Sequence, residues 1–206
     1  MSHPPELQND KPLWRDGWYQ FSGQLQSPNF GPRPQGTSIS LLVIHAISLP
    51  PGQYGGGEVQ QLFTNQLDWD AHPYFQSIRG LKVSSHFYIS RRGELQQFVG
   101  CNDRAWHAGA SSYLGRNNCN DYSVGIELEG TEGGIFEDDQ YETLVSLCAA
   151  LLQNYPISHI AGHEHIAPGR KTDPGAGFNW HLFQKKLGLA GRYFPESVRA
   201  DDTLHK

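Results

Sequence analysis

The chain has 206 residues, and 16 Lys and Arg stand against 21 Asp and Glu for a net charge of -5. That length suits one domain with a sizeable core, and the acidic balance, with a pI near 6.0, argues against a nucleic-acid surface. No apolar run reaches the roughly 18 residues a membrane span needs, residues 1–11 hold no apolar signal core, and Cys101, Cys119 and Cys148 lack CxxC spacing, so a cytoplasmic protein is expected.

Residues 1–37 are polar and rich in Pro and Gly, with Trp14, Trp18, Tyr19 and Phe21 as anchors. They predict an extended N-terminal arm laid across the domain, with at most one short strand. Ser38 to His45 is a nearly continuous apolar run, the pattern of a central strand buried on both faces. His45 ends that run just before a loop of Pro and Gly, where a strand end more often carries function than packing. Gly55-Gly56-Gly57 lacks the Lys-Ser/Thr of a phosphate loop. Val59, Leu62, Phe63 and Leu67 follow helical spacing on a short amphipathic helix, and His72 beyond it reads as a surface or packing residue.

Val83 to Ser90 alternates, Arg91-Arg92-Gly93 predicts a hairpin turn with Gly in the left-handed position, and Glu94 to Val99 returns as the partner strand. His86, with no loop beside it, reads as a satisfied core histidine. A long polar loop starts at Arg104 and carries Trp106 and His107. The indole face there suits a sugar or peptide equally as well as a plug onto the core. Tyr122 to Glu129 alternates again, with Ser123, Gly125, Glu127 and Glu129 on one face. Two carboxylates there suit a cleft or a solvated face, because unpaired buried charge is costly; alternation alone does not choose between them. Tyr141, Leu144, Val145, Cys148, Leu151, Leu152 and Tyr155 predict the longest helix, from near Glu137 to Pro156, with acidic residues at its start and Cys148 on the packed face. Phe178 to Leu187 predicts a last helix, and residues 189–206 a loosely held tail. The domain itself is expected to span 38–188.

Between the last two helices lies the densest chemistry. His163 closes the apolar approach Ile157 to Ala161, and Glu164, His165, Arg170, Lys171 and Asp173 follow among Gly and Pro. Pro168 and Pro174 disfavour helix in the residues before them, so Asp173 sits on a rigid loop. His45, His163 and Asp173 would form a two-nitrogen, one-oxygen ligand set that zinc accepts, with the fourth position open for a water whose pKa falls to roughly 7. A competing pair, His163 with His165, fits i, i+2 spacing on a strand, and spacing leaves the two assignments open. A nearby carboxylate must move the proton and a cation must hold the oxyanion; Glu127 and Lys171 are the available candidates.

Four stretches resemble one family: Leu42 to Gly52 (LVIHAISLPPG), Arg104 to Gly109 (RAWHAG), Gly125 to Thr131 (GIELEGT) and Gly162 to Gly175 (GHEHIAPGRKTDPG). They resemble the AmpD-type cytoplasmic zinc 1,6-anhydro-N-acetylmuramoyl-L-alanine amidases, in the amidase-2 superfamily shared with peptidoglycan recognition proteins, and the likeness runs from about residue 14 to 188. The resemblance implies a single α/β domain with a central mixed β-sheet flanked by α-helices, one zinc ion (Zn2+), and cleavage of the lactyl amide of anhydro-muropeptides. These functions belong to cell-wall recycling, which also lowers the signal that induces a chromosomal β-lactamase. By the same resemblance His45, His163 and Asp173 are the zinc ligands, Glu127 the acid/base rather than Glu129, and Lys171 the transition-state cation. Trp106 and His107 match the substrate cleft. Ala46, Lys82 and Asn118 depart from the family's usual residues at substrate-recognition positions. The expected partner is the muropeptide, met by a monomer without nucleic acid or membrane. Two rivals are a muropeptide-binding module without catalysis and an envelope amidase acting on intact peptidoglycan; the complete ligand set and the absence of a signal segment count against them.

Overall fold

Alternation and apolar runs place the strands, and a computed structural model describes residues 12–198. In chain order the strands and helices are β1 (Trp14–Arg15), β2 (Trp18–Tyr19), β3 (Gly23–Gln24), β4 (Phe30–Pro32), β5 (Leu41–Ile47), α1 (Glu58–Phe63), α2 (Pro73–Ser77), β6 (Phe87–Ile89), β7 (Leu95–Gln97), β8 (Asp103–Ala105), β9 (Ser112–Tyr113), β10 (Arg116–Asn117), β11 (Ser123–Glu129), α3 (Asp138–Asn154), β12 (His159–Gly162), α4 (His163–Ile166) and α5 (Trp180–Leu187). One six-stranded sheet, in the order β12-β5-β11-β6-β7-β3, forms the centre. Its β12, β5, β11 and β6 run parallel and β7 pairs antiparallel to β6, so the sheet is mixed, as the resemblance implied.

The strand pleat sorts the side chains into two layers. Leu42, Ile44, Val124, Ile126 and Leu128 point to one face, where α3 contributes Tyr141, Leu144, Leu147, Cys148 and Leu151 and α5 contributes Phe183. On the other face α1 and α2 bring Val59, Leu62, Phe63 and Phe75 against Tyr88 and Phe98. His45 alternates with Ile44 and Glu127 with Ile126, so both side chains leave the sheet on the α1 side. Helix α3 begins where the acidic run predicted, and at its N-terminus Glu137 N–H donates to Gln140 Oε1 at 3.1 Å. The Arg91-Arg92-Gly93 turn also forms, with Gly93 at φ 74°.

Several details differ from the sequence reading. The N-terminal arm contributes four two- or three-residue strands rather than one, because its Gly and Pro interrupt every run. Its β3 adds an edge to the main sheet, and Arg33 reaches inside to the carbonyls of Cys101, Asp121 and Ser123. Helix α2 went unforeseen; it is short, but His72 caps it by accepting from Tyr74 N–H and Pro73 opens it. The loop from Arg104 to Asp121 folds into the small hairpin β9–β10 and a 3₁₀ turn. Residues 189–198 are not loose: they form two 3₁₀ turns, and Phe194 between them is fully buried against Trp180 and Phe183. Residues 199–206 of the expected tail lie outside the described residues. Cys101, Cys119 and Cys148 are buried and form no disulfide. Among the described residues, no helix is long and apolar enough to cross a membrane.

Candidate metal centre and cleft

Strand register builds the site. In the parallel β5–β11 pair Glu127 lies opposite His45, and in the β5–β12 pair Gly162 lies opposite Ile44. The next residue, His163, therefore arrives level with His45. All three stand at the carboxyl ends of parallel strands, the side of an α/β sheet where ligands bind. Chain direction then brings in the carboxylate. After the single turn of α4, Arg170 and Lys171 N–H groups donate to the Ala167 carbonyl, and Glu164 N–H donates to the Asp173 carbonyl at 2.8 Å. That loop closure directs the Asp173 side chain back over the two imidazoles.

The result is a near-equilateral triangle of ligand atoms. His45 Nδ1 lies 3.0 Å from His163 Nδ1 and 3.2 Å from Asp173 Oδ2, and His163 Nδ1 lies 3.1 Å from the same oxygen. The three residues are buried, and among the described residues they form the group able to hold a metal ion. His165 does not join them. The strand ends at Gly162, so His163 and His165 sit in a helical turn, about 200° apart around its axis. The His165 Nδ1 instead accepts from Gly162 N–H at 2.9 Å, and its ring meets Trp180.

Burial sets the charge states. It pushes the His45 imidazole down to about 4, with the neighbouring His163 adding to the effect, so His45 is neutral at pH 7. Burial raises the Asp173 carboxyl, but the His163 and His45 rings set against its Oδ2 outweigh burial and hold the group well below the usual carboxylate range. A neutral imidazole and an ionised carboxylate are the forms that bind metal. Glu127 behaves oppositely: burial, then the Asp173 charge, raise its carboxyl well above the usual range, and Lys171 only partly offsets them. Its Oε2 is buried without a hydrogen-bond partner in the protein.

A cleft of about 540 Å³ opens over these groups and is lined by His45, Glu127, His163, Lys171 and Asp173 as well as by Ala46 and Trp106. That volume suits a small ligand. Lys171 is exposed at the rim, and Trp106 is half-buried there. The opposite wall is apolar, built from Leu62, Phe63, Ile78, Leu81 and Val83. Helical spacing marks α1 only as amphipathic, and this wall needs the unforeseen α2 to bring Ile78 and Leu81 over.

Other expected site residues are placed differently. Lys82 and Asn118 are exposed and do not line the cleft, although Leu81 and Val83 on either side of Lys82 do. Asn118 stands at φ 56° before a 3₁₀ turn, where its backbone N–H donates to Ser111. His107 does line the cleft, but it is only 8% exposed and its ring packs edge-on against His45. Glu129 is also buried, but away from the triangle: Gly55 and Arg91 N–H groups donate to its two oxygens at 2.6 and 3.0 Å, and the Tyr88 hydroxyl adds a third bond. His86 is the satisfied core histidine the sequence suggested, with Gly125 N–H on its Nδ1 and the Asp103 carbonyl on its Nε2.

Comparison with known proteins follows this geometry. The family model for N-acetylmuramoyl-L-alanine amidase (Amidase_2) matches residues 35–176. The 1,6-anhydro-N-acetylmuramyl-L-alanine amidase AmpD of Citrobacter freundii is 48% identical over 174 residues, covering 84% of this chain and 93% of that relative. A crystal structure of a selenomethionine AmpD derivative superimposes with a TM-score of 0.83 at 48% identity, covering 85% of this chain and 99% of that one. The Escherichia coli amidase AmiD, in complex with the substrate anhydro-N-acetylmuramic acid-L-Ala-D-gamma-Glu-L-Lys, matches with a TM-score of 0.54 at 27% identity, covering 75% of this chain and 60% of that one.

Proposed function

The chain belongs to the N-acetylmuramoyl-L-alanine amidase family, and from that premise we propose that it hydrolyses the lactyl amide between 1,6-anhydro-N-acetylmuramic acid and L-alanine in muropeptides released during cell-wall recycling. We further infer that His45, His163 and Asp173 hold one zinc ion. The ligand triangle carries this reading. In a tetrahedral site with zinc–ligand bonds of about 2.0–2.1 Å, ligand atoms stand about 3.3 Å apart, and two nitrogens among three donors suit zinc rather than calcium, which takes oxygen ligands. Edges of 3.0–3.2 Å between two imidazole nitrogens and one carboxylate oxygen fit the zinc spacing and donor preference. When bound, zinc supplies Lewis acidity toward the amide carbonyl and toward the attacking water.

The protein's own groups supply the rest. Glu127, level with His45 and with no hydrogen-bond partner in the protein for its Oε2, takes a proton from the attacking water and delivers it to the alanine nitrogen as the amide breaks. Lys171, at the rim of the same cleft, holds the negative charge that develops on the carbonyl oxygen. Trp106 and the apolar wall suit the bicyclic sugar, whose anhydro bridge replaces a free hydroxyl, and Ala46 leaves room beside the metal ligand. We place the enzyme in the cytoplasm as a monomer, a setting that suits three buried free thiols. We keep 38–188 as the catalytic unit.

The test is release of free peptide from anhydromuramoyl-tripeptide, with bound zinc quantified in wild type and in Asp173→Ala. Wild type should cleave with about one zinc per chain, and the variant should lose metal and activity together. A zinc-loaded wild type that binds the muropeptide and never cleaves it would establish the binding-module reading instead.

A further inference from the structure

His107 has no role in the chemistry above, yet both of its ring nitrogens are engaged beside the ligand triangle. Its Nδ1 lies 2.9 Å from His45 Nε2, and its Nε2 lies 3.1 Å from Ser123 Oγ. The single Ser123 hydroxyl proton is committed to the Cys119 carbonyl at 2.6 Å. Ser123 Oγ can therefore only accept from His107, which places the His107 proton on Nε2 and leaves its Nδ1 bare. A bare Nδ1 accepts, so the His45 proton sits on Nε2 and its Nδ1 lone pair points into the triangle.

The neighbouring residue does the same for the second imidazole. His163 Nε2 lies 3.2 Å from the Ala108 carbonyl, a group that only accepts. Arg170 Nη2 is 3.4 Å from the same ring nitrogen, but its two protons go to the carbonyls of Ala108 at 2.6 Å and Ala110 at 2.8 Å. His163 thus carries its proton on Nε2 and also turns a bare Nδ1 inward. Two nitrogen lone pairs and a carboxylate oxygen then face one another within 3.2 Å.

The two residues are themselves fixed. Both His107 and Ala108 N–H groups donate to Asn120 Oδ1, at 3.1 and 2.8 Å. The His107 ring lies so close on β11 that a Cβ added to Gly125 would come within 2.5 Å of it. This strand position needs Gly for the approach of a ring.

We propose that the His107–Ala108 dipeptide presets the tautomer and direction of both metal-binding histidines, and that His107 is a positioning residue acting through His45, not a substrate contact. The proposal rests on the reading of His45, His163 and Asp173 as zinc ligands. Outer partners of this kind are worth roughly 10–100-fold in metal affinity when removed.

Zinc affinity, measured by chelator competition on metal-free protein, tests it. His107→Phe fills the space without hydrogen bonds, whereas His107→Gln can accept from His45 and donate to Ser123. The Phe variant should bind zinc roughly 10–100-fold more weakly than wild type, and Gln should recover most of the loss. Gly125→Ala, which displaces the ring, should shift affinity in the same direction as Phe. In metal-free wild type and His107→Gln, NMR should show a slowly exchanging His45 Nε2–H, and it should vanish in the Phe variant. At saturating zinc the KM for anhydromuramoyl-tripeptide should match wild type in His107→Phe. If that variant keeps wild-type zinc affinity, or if its KM rises while affinity holds, His107 does not position the metal ligand and the proposal fails. If wild type itself takes up no zinc, the metal reading falls and this proposal with it.

Discussion

Two buried carboxylates two residues apart on β11 make opposite predictions. In Glu129→Gln, one of the two N–H donors now served by the carboxylate, Gly55 or Arg91, would face the new amide NH2 group. Leaving one buried donor unsatisfied costs about 1–3 kcal/mol. The Gly-rich loop pinned by Gly55 would loosen with it, while the ligand triangle stays untouched. In Glu127→Gln no protein partner of Oε2 is lost, and a carboxyl disfavoured by burial and by Asp173 is replaced with a neutral group. Stability should hold or rise. The rate should fall, because a positioned acid/base is worth roughly 10²–10⁴-fold, or about 3–5 kcal/mol on the barrier. Steady-state release of tripeptide and urea denaturation, run on both variants with zinc content measured, separate the effects. A Glu127→Gln enzyme that keeps more than a tenth of wild-type kcat refutes the assignment. So does a Glu129→Gln enzyme that loses rate at full stability.

Three further outcomes follow from the same structure. Lys171→Met should lower kcat roughly 10²–10³-fold with zinc content and thermal midpoint unchanged, since Lys171 is exposed; a rise in KM alone would make it a ground-state contact. Phe194→Ala should cost about 3–5 kcal/mol in denaturant unfolding, because the ring is fully buried between Trp180 and Phe183; a loss below about 1 kcal/mol would mean the segment after α5 is not docked. Metal-free protein should lose stability as pH falls below about 6.5, where an unfolded histidine takes up its proton. Burial, with Arg33 beside it, holds His86 well below that value, and burial and His45 do the same for His107. Protons therefore bind the unfolded chain first, at up to about 1.4 kcal/mol per pH unit for each such residue. A flat urea midpoint between pH 7 and 5 would show that these rings protonate freely in the fold.

Much of the frame was legible because it is periodic. The run ending at His45, the alternation from Ser123 to Glu129 and the i, i+3, i+4 pattern of α3 each report one buried face, and the structure returns each within a few residues. The elements that escaped have no period to show. Helix α2 is five residues long, and the arm's strands are two or three. Their order comes from tertiary contacts, such as Arg33 reaching three distant carbonyls. The packed stretch around Phe194 was missed because one buried aromatic among charged residues leaves no pattern. His107 was matched to the substrate cleft together with Trp106, and a loop carries no alternation to show that its ring also packs against His45.

The choice of ligands and of base turns on register, which a single strand cannot express. Glu127 and Glu129 share a face, a residue pair spaced about 6.5 Å along a strand, and each is a competent carboxylate on its own. What separates them is the neighbour: Glu127 stands opposite His45, and Glu129 opposite Ile47. A shift of two residues between β5 and β11 would preserve the facing of the side chains and set Glu129 opposite His45 in place of Glu127. The same holds for the histidines, since His163 reaches the triangle because Gly162 pairs with Ile44 and the strand stops there. Had β12 continued three residues further, His163 and His165 would share a face and the competing ligand pair would stand. The turn at His163 excludes it, by converting an i, i+2 spacing from neighbours on one side into residues on nearly opposite sides of a helix.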